Sequence, residues 1–439
     1  MGWDAIRVSA ADRLTWRESI AVYFTRRQLV IFLMGFSSGL PLLLGFSTLS
    51  FWMRQENVSL VAIGWVLSVA TPYSLKFLWA PVFDHVRLPV LTRRLGLRRS
   101  WLLVIQVALI IAIVLVGQCE PGTALAPIAA AALLMAFCSA SQDIVVDAYR
   151  IEVLDEAEQG PGAAMTQAGY RVGMIASGAG ALALADIITW DWIYASMAAL
   201  MLVGIAATLF GEEPPDRRPP APAAPLARLK HAVIDPLREF AQRRGVLVIL
   251  AFVLLYKYGD AVAGAMANPF YSDLGFTGTE IASVTKVYGV AMTMLGVIVG
   301  GLVVARIGVI AGLLVGGILQ AATNLTFAWL ATVGHDMTVF TVAVGADSFA
   351  GGVGSAAFVT YLSALCNVAF TATQYALLTS LMAFGRTAMA TLSGWLAQEL
   401  GWAAFFVATT GLAVPALCLV ALLSPPSADR SALELKGSA

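Results

Sequence analysis

Apolar stretches of 18 or more residues recur from one end of this 439-residue chain to the other. Each is long enough to cross roughly 30 Å of hydrocarbon at about 1.5 Å per residue. In lipid such a stretch must satisfy its own backbone hydrogen bonds, which a helix does. With 59% of residues hydrophobic and only 12% charged, no room is left for a large soluble domain. Spans are expected at about 28–53, 60–83, 101–118, 126–148, 163–185 and 191–210, and again at about 245–268, 280–304, 309–331, 338–363, 373–396 and 401–423. The expected fold class is therefore an all-α polytopic membrane protein with about twelve transmembrane helices. Its domains are a six-helix half at 1–210, a Pro-rich and basic linker at 211–244 and a second six-helix half at 245–439. The first apolar run lacks a small-residue cleavage site and reads as a retained helix.

Basic residues near helix ends stay on the cytoplasmic side. Alternate segments hold Arg7, Arg13, Arg17, Arg26 and Arg27, then Arg87, Arg93, Arg94, Arg98 and Arg99, then Arg150, seven more in the linker, and Arg306, Arg430 and Lys436. The opposite segments hold Arg54 alone. Both termini are thus expected in the cytoplasm, with the chain in the bacterial inner membrane among its lipids. A net charge of zero gives no reason to expect a nucleic-acid partner.

The halves repeat weakly. Arg171 and Arg386 each precede a Ser-Gly pair, Asp143 and Asp347 occupy spans four and ten, and Pro214-Pro215 and Pro425-Pro426 end spans six and twelve. Internal repeats of this kind mark alternating-access transporters. Two parallel six-helix halves resemble the major facilitator superfamily, and the loop after span two, with Asp84 at the helix end, resembles a lengthened form of its Gly-Asp-Arg-Gly-Arg loop.

Nine charged residues fall inside the spans, clear of their first and last positions: Lys76, Asp143, Asp147, Arg171, Lys257, Asp260, Lys286, Asp347 and Arg386. A charge at the bilayer centre costs about 2.5–3.5 kcal/mol even on the permissive insertion scale, so these groups must face one another or a polar cavity. Depth along the helices makes Arg171, Lys257, Asp260, Asp347 and Arg386 the central-cavity candidates. That set leans cationic and suits an anionic or zwitterionic solute. Substrate-binding candidates are Arg171, Lys257, Arg386, Lys76 and Lys286, with Gln142, Tyr170, Tyr256 and Asn268 as hydrogen-bonding neighbours; each of these four taken alone reads more readily as a helix-packing contact.

Asp143 and Asp147, four apart, share one helix face. Asp84, Asp147 and Arg150 read as a cytoplasmic gate, and Asp143, Asp147, Asp260 and Asp347 as proton-coupling candidates, with Asp260 or Asp347 foremost. Lys257 and Asp260, three apart, read alternatively as a local ion pair. Nothing suggests catalysis. The Gly35-Phe36-Ser37-Ser38-Gly39 match to a hydrolase elbow lies inside an apolar span with no preceding strand, and no P-loop occurs. His85, His231 and His335 are too scattered for a metal site, and Cys119, Cys138, Cys366 and Cys418 lack ligand spacing. No cofactor is expected, and the energy source is taken to be an external proton gradient.

Longer stretches sharpen the resemblance: LKFLWAPVFD at 75–84, FCSASQDIVVDAY at 137–149, GYRVGM at 169–174, LLYKYGDA at 254–261 and FTATQYALLTSLMAFGR at 370–386 are similar to AmpG-type muropeptide permeases. That resemblance implies proton-driven import of anhydromuropeptides for peptidoglycan recycling. It also implies support of β-lactamase induction where recycling intermediates control that enzyme. Family patterns carry over to Lys76, Asp84, Asp143, Asp147, Arg171, Lys257, Asp260, Lys286 and Arg386, whereas Asp347 stands where some members have Glu. Alternatives are an acetyl-CoA or other anionic-solute transporter, or a non-transporting membrane assembly factor.

Overall fold

The apolar segments form helices throughout, and no strand occurs among the described residues. The computed structural model describes residues 15–67, 71–216, 234–243, 245–390, 393–420 and 422–423, with side chains at 16, 60 and 386–390 outside the described set. The membrane-length helices are α1 (Arg26–Gln55), α2 (Val61–Leu78), α3 (Leu97–Gly117), α4 (Leu125–Val153), α5 (159–184), α6 (Trp190–Phe210), α7 (Val246–Asp273), α8 (Gly278–Ile307), α9 (Val309–Val333), α10 (Met337–Ala364), α11 (Thr371–Ala390) and α12 (Trp402–Val420). Among the described residues, eleven are long and apolar enough to cross a bilayer. The remaining one, α5, is a continuous helix through Gln159–Ile175, Ala176–Gly180 and Ala181–Leu184, made more polar by Gln167, Tyr170, Arg171 and its glycines.

That polarity follows from where α5 sits, against α1 on one side and against α8 and α10 of the other half on the other. Without a hydrophobic force between helices in lipid, close backbone approach supplies the packing. A Cβ at Gly173 would lie 2.2 Å from the Phe36 carbonyl oxygen, so only glycine lets α1 and α5 come this close. Two π-turns, Leu44–Thr48 in α1 and Ala176–Gly180 in α5, face each other there, and the Thr48 hydroxyl donates to the Ser177 carbonyl at 2.9 Å.

In the first half α3 packs on α4 and α6, and α1 on α4 and α6; in the second α10 packs on α8 and α9, and α12 on α9 and α7. An aromatic cluster fills the second half, with Phe270 and Phe406 ring centroids 4.7 Å apart. The halves meet where α5 touches α8 and α10 and where α11 touches α2 and α4. By contrast, 49–67, 176–184 and 268–288, at the other end, make their main helix contacts within their own halves. The linker lies outside the described residues at 217–233 and 244. Its helix over 234–241 docks on the α10–α11 turn, where the Gln374 side-chain amide donates to the Pro236 carbonyl at 3.2 Å and to Glu239 at 2.5 Å.

Candidate functional site

Helix α7 breaks at its centre. The segment Val246–Leu255 ends at Tyr256, and a second segment, Tyr258–Asp273, begins after Lys257. A broken helix leaves backbone and side chains that need local partners. Lys257 Nζ donates to Asp260 Oδ2 at 3.2 Å and to Gln320 Oε1 of α9 at 3.1 Å, and the Gln320 amide donates back to Asp260. The three groups close a ring in which the carboxamide has one useful orientation. Gly354 of α10 makes room for it, since a Cβ there would lie 2.6 Å from Gln320 Oε1.

This ring forms part of the wall of a cavity of about 280 Å³ between the halves. Gln167 and Arg171 of α5 line it from the first half; Lys257, Asp260 and Tyr271 of α7, Gln320, Asn324 and Phe327 of α9, Asp347 and Ser348 of α10 and Phe406 of α12 line it from the second. Asp347 Oδ1 accepts the Thr323 hydroxyl at 3.3 Å. Arg171 is exposed to the cavity, and its guanidinium has no hydrogen-bond or ion-pair partner among the described residues. Four of the five central-cavity candidates thus share one space. For the fifth, Arg386, the backbone belongs to α11 and the side chain lies outside the described residues.

The other candidates lie elsewhere. Lys76, in a 3₁₀ turn of α2, is within charge range of both Asp143 and Asp147, and Tyr170 and Tyr73 are within charge range of Asp143. This second polar cluster belongs wholly to the first half and is absent from the cavity lining. Gln142, fully buried, donates to Ser37 at 3.1 Å and Ser38 at 3.2 Å and so ties α4 to α1. Tyr256 donates to the Leu313 carbonyl at 2.9 Å and stacks on Phe358 at 5.0 Å. Asn268 and Lys286 are exposed and outside the cavity lining, Lys286 on the π-turn Ser283–Tyr288.

The end of the bundle rich in arginine holds the seam. Asp84, beyond α2, accepts the backbone N–H groups of Ala372 at 3.2 Å and Thr373 at 2.9 Å and the Thr373 hydroxyl at 2.7 Å. Helix N-termini leave such donors unpaired and favour a negative charge, so a carboxylate from one half caps a helix of the other. Arg98 holds that carboxylate: its Nη2 donates to Asp84 at 2.7 Å and to Glu152 at 2.5 Å, all three side chains being buried. Arg150, also buried, donates from Nη2 to Ser363 at 2.9 Å and Tyr375 at 3.4 Å across the seam, and lies 3.6 Å from Asp147 on its own helix. Its Nε and Nη1 have no partner among the described residues. Gly160 and Gly301 let α5 and α8 approach, and Tyr23 donates to the Ile298 carbonyl at 2.8 Å. Glu213, just past α6, accepts the N–H groups of Arg98 at 2.8 Å and Arg99 at 3.0 Å; burial pushes its carboxyl above the usual range, and these two bonds oppose that.

Sequence reasoning missed Gln320, whose polarity inside an apolar span was the available signal, and counted Arg98 only as a loop charge. Glu152 gave no sign of its partner.

The family described as "Major Facilitator Superfamily" matches residues 28–259. A protein of Escherichia coli (strain K12), "Anhydromuropeptide permease", is 40% identical over 91% of this chain and 80% of its own length. "Putative transporter AmpG 4" of Rickettsia felis is 34% identical over 90% of this chain and 95% of its own. Among solved structures, the proton:xylose symporter XylE superposes with a TM-score of 0.66 at 14% identity, covering 92% of this chain and 96% of that one. The Escherichia coli fucose:proton symporter FucP superposes with a TM-score of 0.69 at 11% identity, covering 90% and 98%. At those identities the structural likeness speaks for the fold alone. The sequence likeness carries further: this chain belongs to the major facilitator superfamily and, within it, to the family of AmpG-type muropeptide permeases.

Proposed function

We propose that this chain imports anhydromuropeptides across the bacterial inner membrane together with protons. The observation that carries the substrate is 40% identity, along 91% of the chain, to the protein named anhydromuropeptide permease. Basic residues favour the cytoplasmic side, so the arginine-rich seam is read as the cytoplasmic end and both termini lie there. A cavity behind a seam closed at that end belongs to an outward-facing form. Import then requires the seam to part, with Asp84 leaving the α11 N-terminus and Arg150 leaving Ser363 and Tyr375, as the halves rock about the bound solute.

For the proton we favour the α4 pair. Asp260 is engaged by Lys257 and Gln320, and Asp347 lines the cavity, whereas Asp147 stands 3.6 Å from an Arg150 whose shorter contact crosses the seam. When the seam opens, Arg150 loses its second-half partners and turns to Asp147. A carboxylate paired with a cation favours its ionised form, which returns the proton on the cytoplasmic side. Asp143 and Lys76 extend this relay.

Uptake of labelled anhydromuropeptide into proteoliposomes tests the reading, with and without an inward proton gradient, beside acetyl-CoA and a simple dipeptide. Gradient-dependent accumulation of the muropeptide alone is expected. Equal uptake of acetyl-CoA, or muropeptide uptake indifferent to the gradient, would overturn the substrate or the coupling respectively. In a bacterium whose β-lactamase responds to recycling intermediates, deleting the gene should also abolish induction.

A further inference from the structure

We infer that the cavity reads a zwitterion, with Arg171 taking a carboxylate of the ligand and Asp347 an ammonium, so that each half of the protein binds one charge. The inference rests on the transport reading above and names the part of the solute that this cavity holds.

The charges decide it. Among the described residues four acidic or basic side chains line the cavity: Arg171, Lys257, Asp260 and Asp347. Lys257 and Asp260 cancel each other, and Gln320 completes both, its oxygen on the ammonium and its amide on the carboxylate. That ring has little left to offer a ligand. Arg171 remains without a partner among the described residues, and Asp347 accepts one long bond from Thr323 at 3.3 Å. A planar guanidinium fits a carboxylate through two parallel bonds, and a carboxylate oxygen accepts from an ammonium, so the two groups left over select opposite charges.

Size points the same way. At about 280 Å³ the cavity sits at the lower edge of the roughly 300–1,000 Å³ typical of small-molecule sites, too small for a whole disaccharide-peptide. It suits one end of a peptide, a C-terminal residue with a free carboxylate and a side-chain amine. Because Arg171 belongs to α5 and Asp347 to α10, such an end bridges the halves.

Two measurements separate this inference from the transport reading. In the first, thermal stabilisation of the purified protein is recorded with three peptides, all blocked at the N-terminus: one whose C-terminal residue carries a free carboxylate and a side-chain amine, the same peptide acetylated on that side-chain amine, and the same peptide amidated at that carboxylate. The zwitterion should bind about tenfold more tightly than either derivative, the scale of one lost charge-assisted contact. Asp347→Asn should abolish discrimination against acetylation while keeping that against amidation, Arg171→Gln should do the reverse, and Asp347→Glu should restore the amine preference. Equal binding of all three peptides, binding of none, or an Asp347→Asn protein that still discriminates against acetylation overturns the inference. In the second, uptake of the corresponding intact muropeptides by the unsubstituted protein tests transport itself, so its failure condemns the substrate assignment and leaves the binding ratios to judge the zwitterion.

Discussion

The carboxylate of Asp84 accepts both the backbone N–H of Thr373, at 2.9 Å, and that residue's hydroxyl, at 2.7 Å, so the short helix Ala80–His85 that follows α2 caps the first turn of α11 across the seam between the halves. Four successive residues of that turn are bonded to three separate elements: Ala372 and Thr373 to Asp84, Gln374 to the linker helix through Glu239, and Tyr375 to Arg150. The first turn of α11 is therefore where parting of the seam is resisted.

Asp84→Ala should weaken the closed seam by about 1–2 kcal/mol, the scale of a lost helix cap, and leave Arg98 with Glu152 and the Phe83 carbonyl as its acceptors. Cysteines placed at the seam should become more accessible to a membrane-impermeant thiol reagent from the cytoplasmic side. Unchanged labelling would mean that Asp84 does not hold the seam.

Arg150 carries two buried donors without partners among the described residues. Each such donor costs about 1–3 kcal/mol, which keeps the closed form from being too stable to open. Asp147→Asn should leave folding intact while uptake loses its dependence on the proton gradient. An Asp147→Asn protein that still accumulates solute against a gradient would move the proton site elsewhere.

Gln320→Leu removes the acceptor of Lys257 and a donor to Asp260 at once. A loss of about 2–3 kcal/mol of stability is expected, the cost of leaving charged groups short of a hydrogen bond. Gly354→Ala should imitate it by displacing the carboxamide. Thermal melting of both variants beside the parent checks this, and a melting point within a degree of the parent's for both would show that the ring is not a structural unit.

Glu213 gives a pH signature. Burial raises its carboxyl in the folded chain, so over the range from the ordinary glutamate value upward the folded state binds more protons than the unfolded one, and this group's contribution to stability falls as pH rises. Glu213→Gln cannot titrate. Melting points of the two proteins should therefore converge, or cross in favour of the variant, on going from acid to neutral pH, and a gap widening in the parent's favour would contradict the sign.

Hydropathy alone located the spans, because the need to bury a backbone in lipid acts on each segment separately. The same local rule hid the character of α5, whose polarity falls short of a typical span because its neighbours are protein. It also fixed which charges must find company, since an ion in hydrocarbon is costly wherever it lies. What each charge would meet depended on helix rotation and on which helices adjoin. Only packing joined Arg171 to Lys257, Asp260 and Asp347 around one cavity and set Lys76, Asp143 and Asp147 apart. Asp84 and Thr373, 289 positions apart, share no local signal, and their contact exists because two halves close on each other.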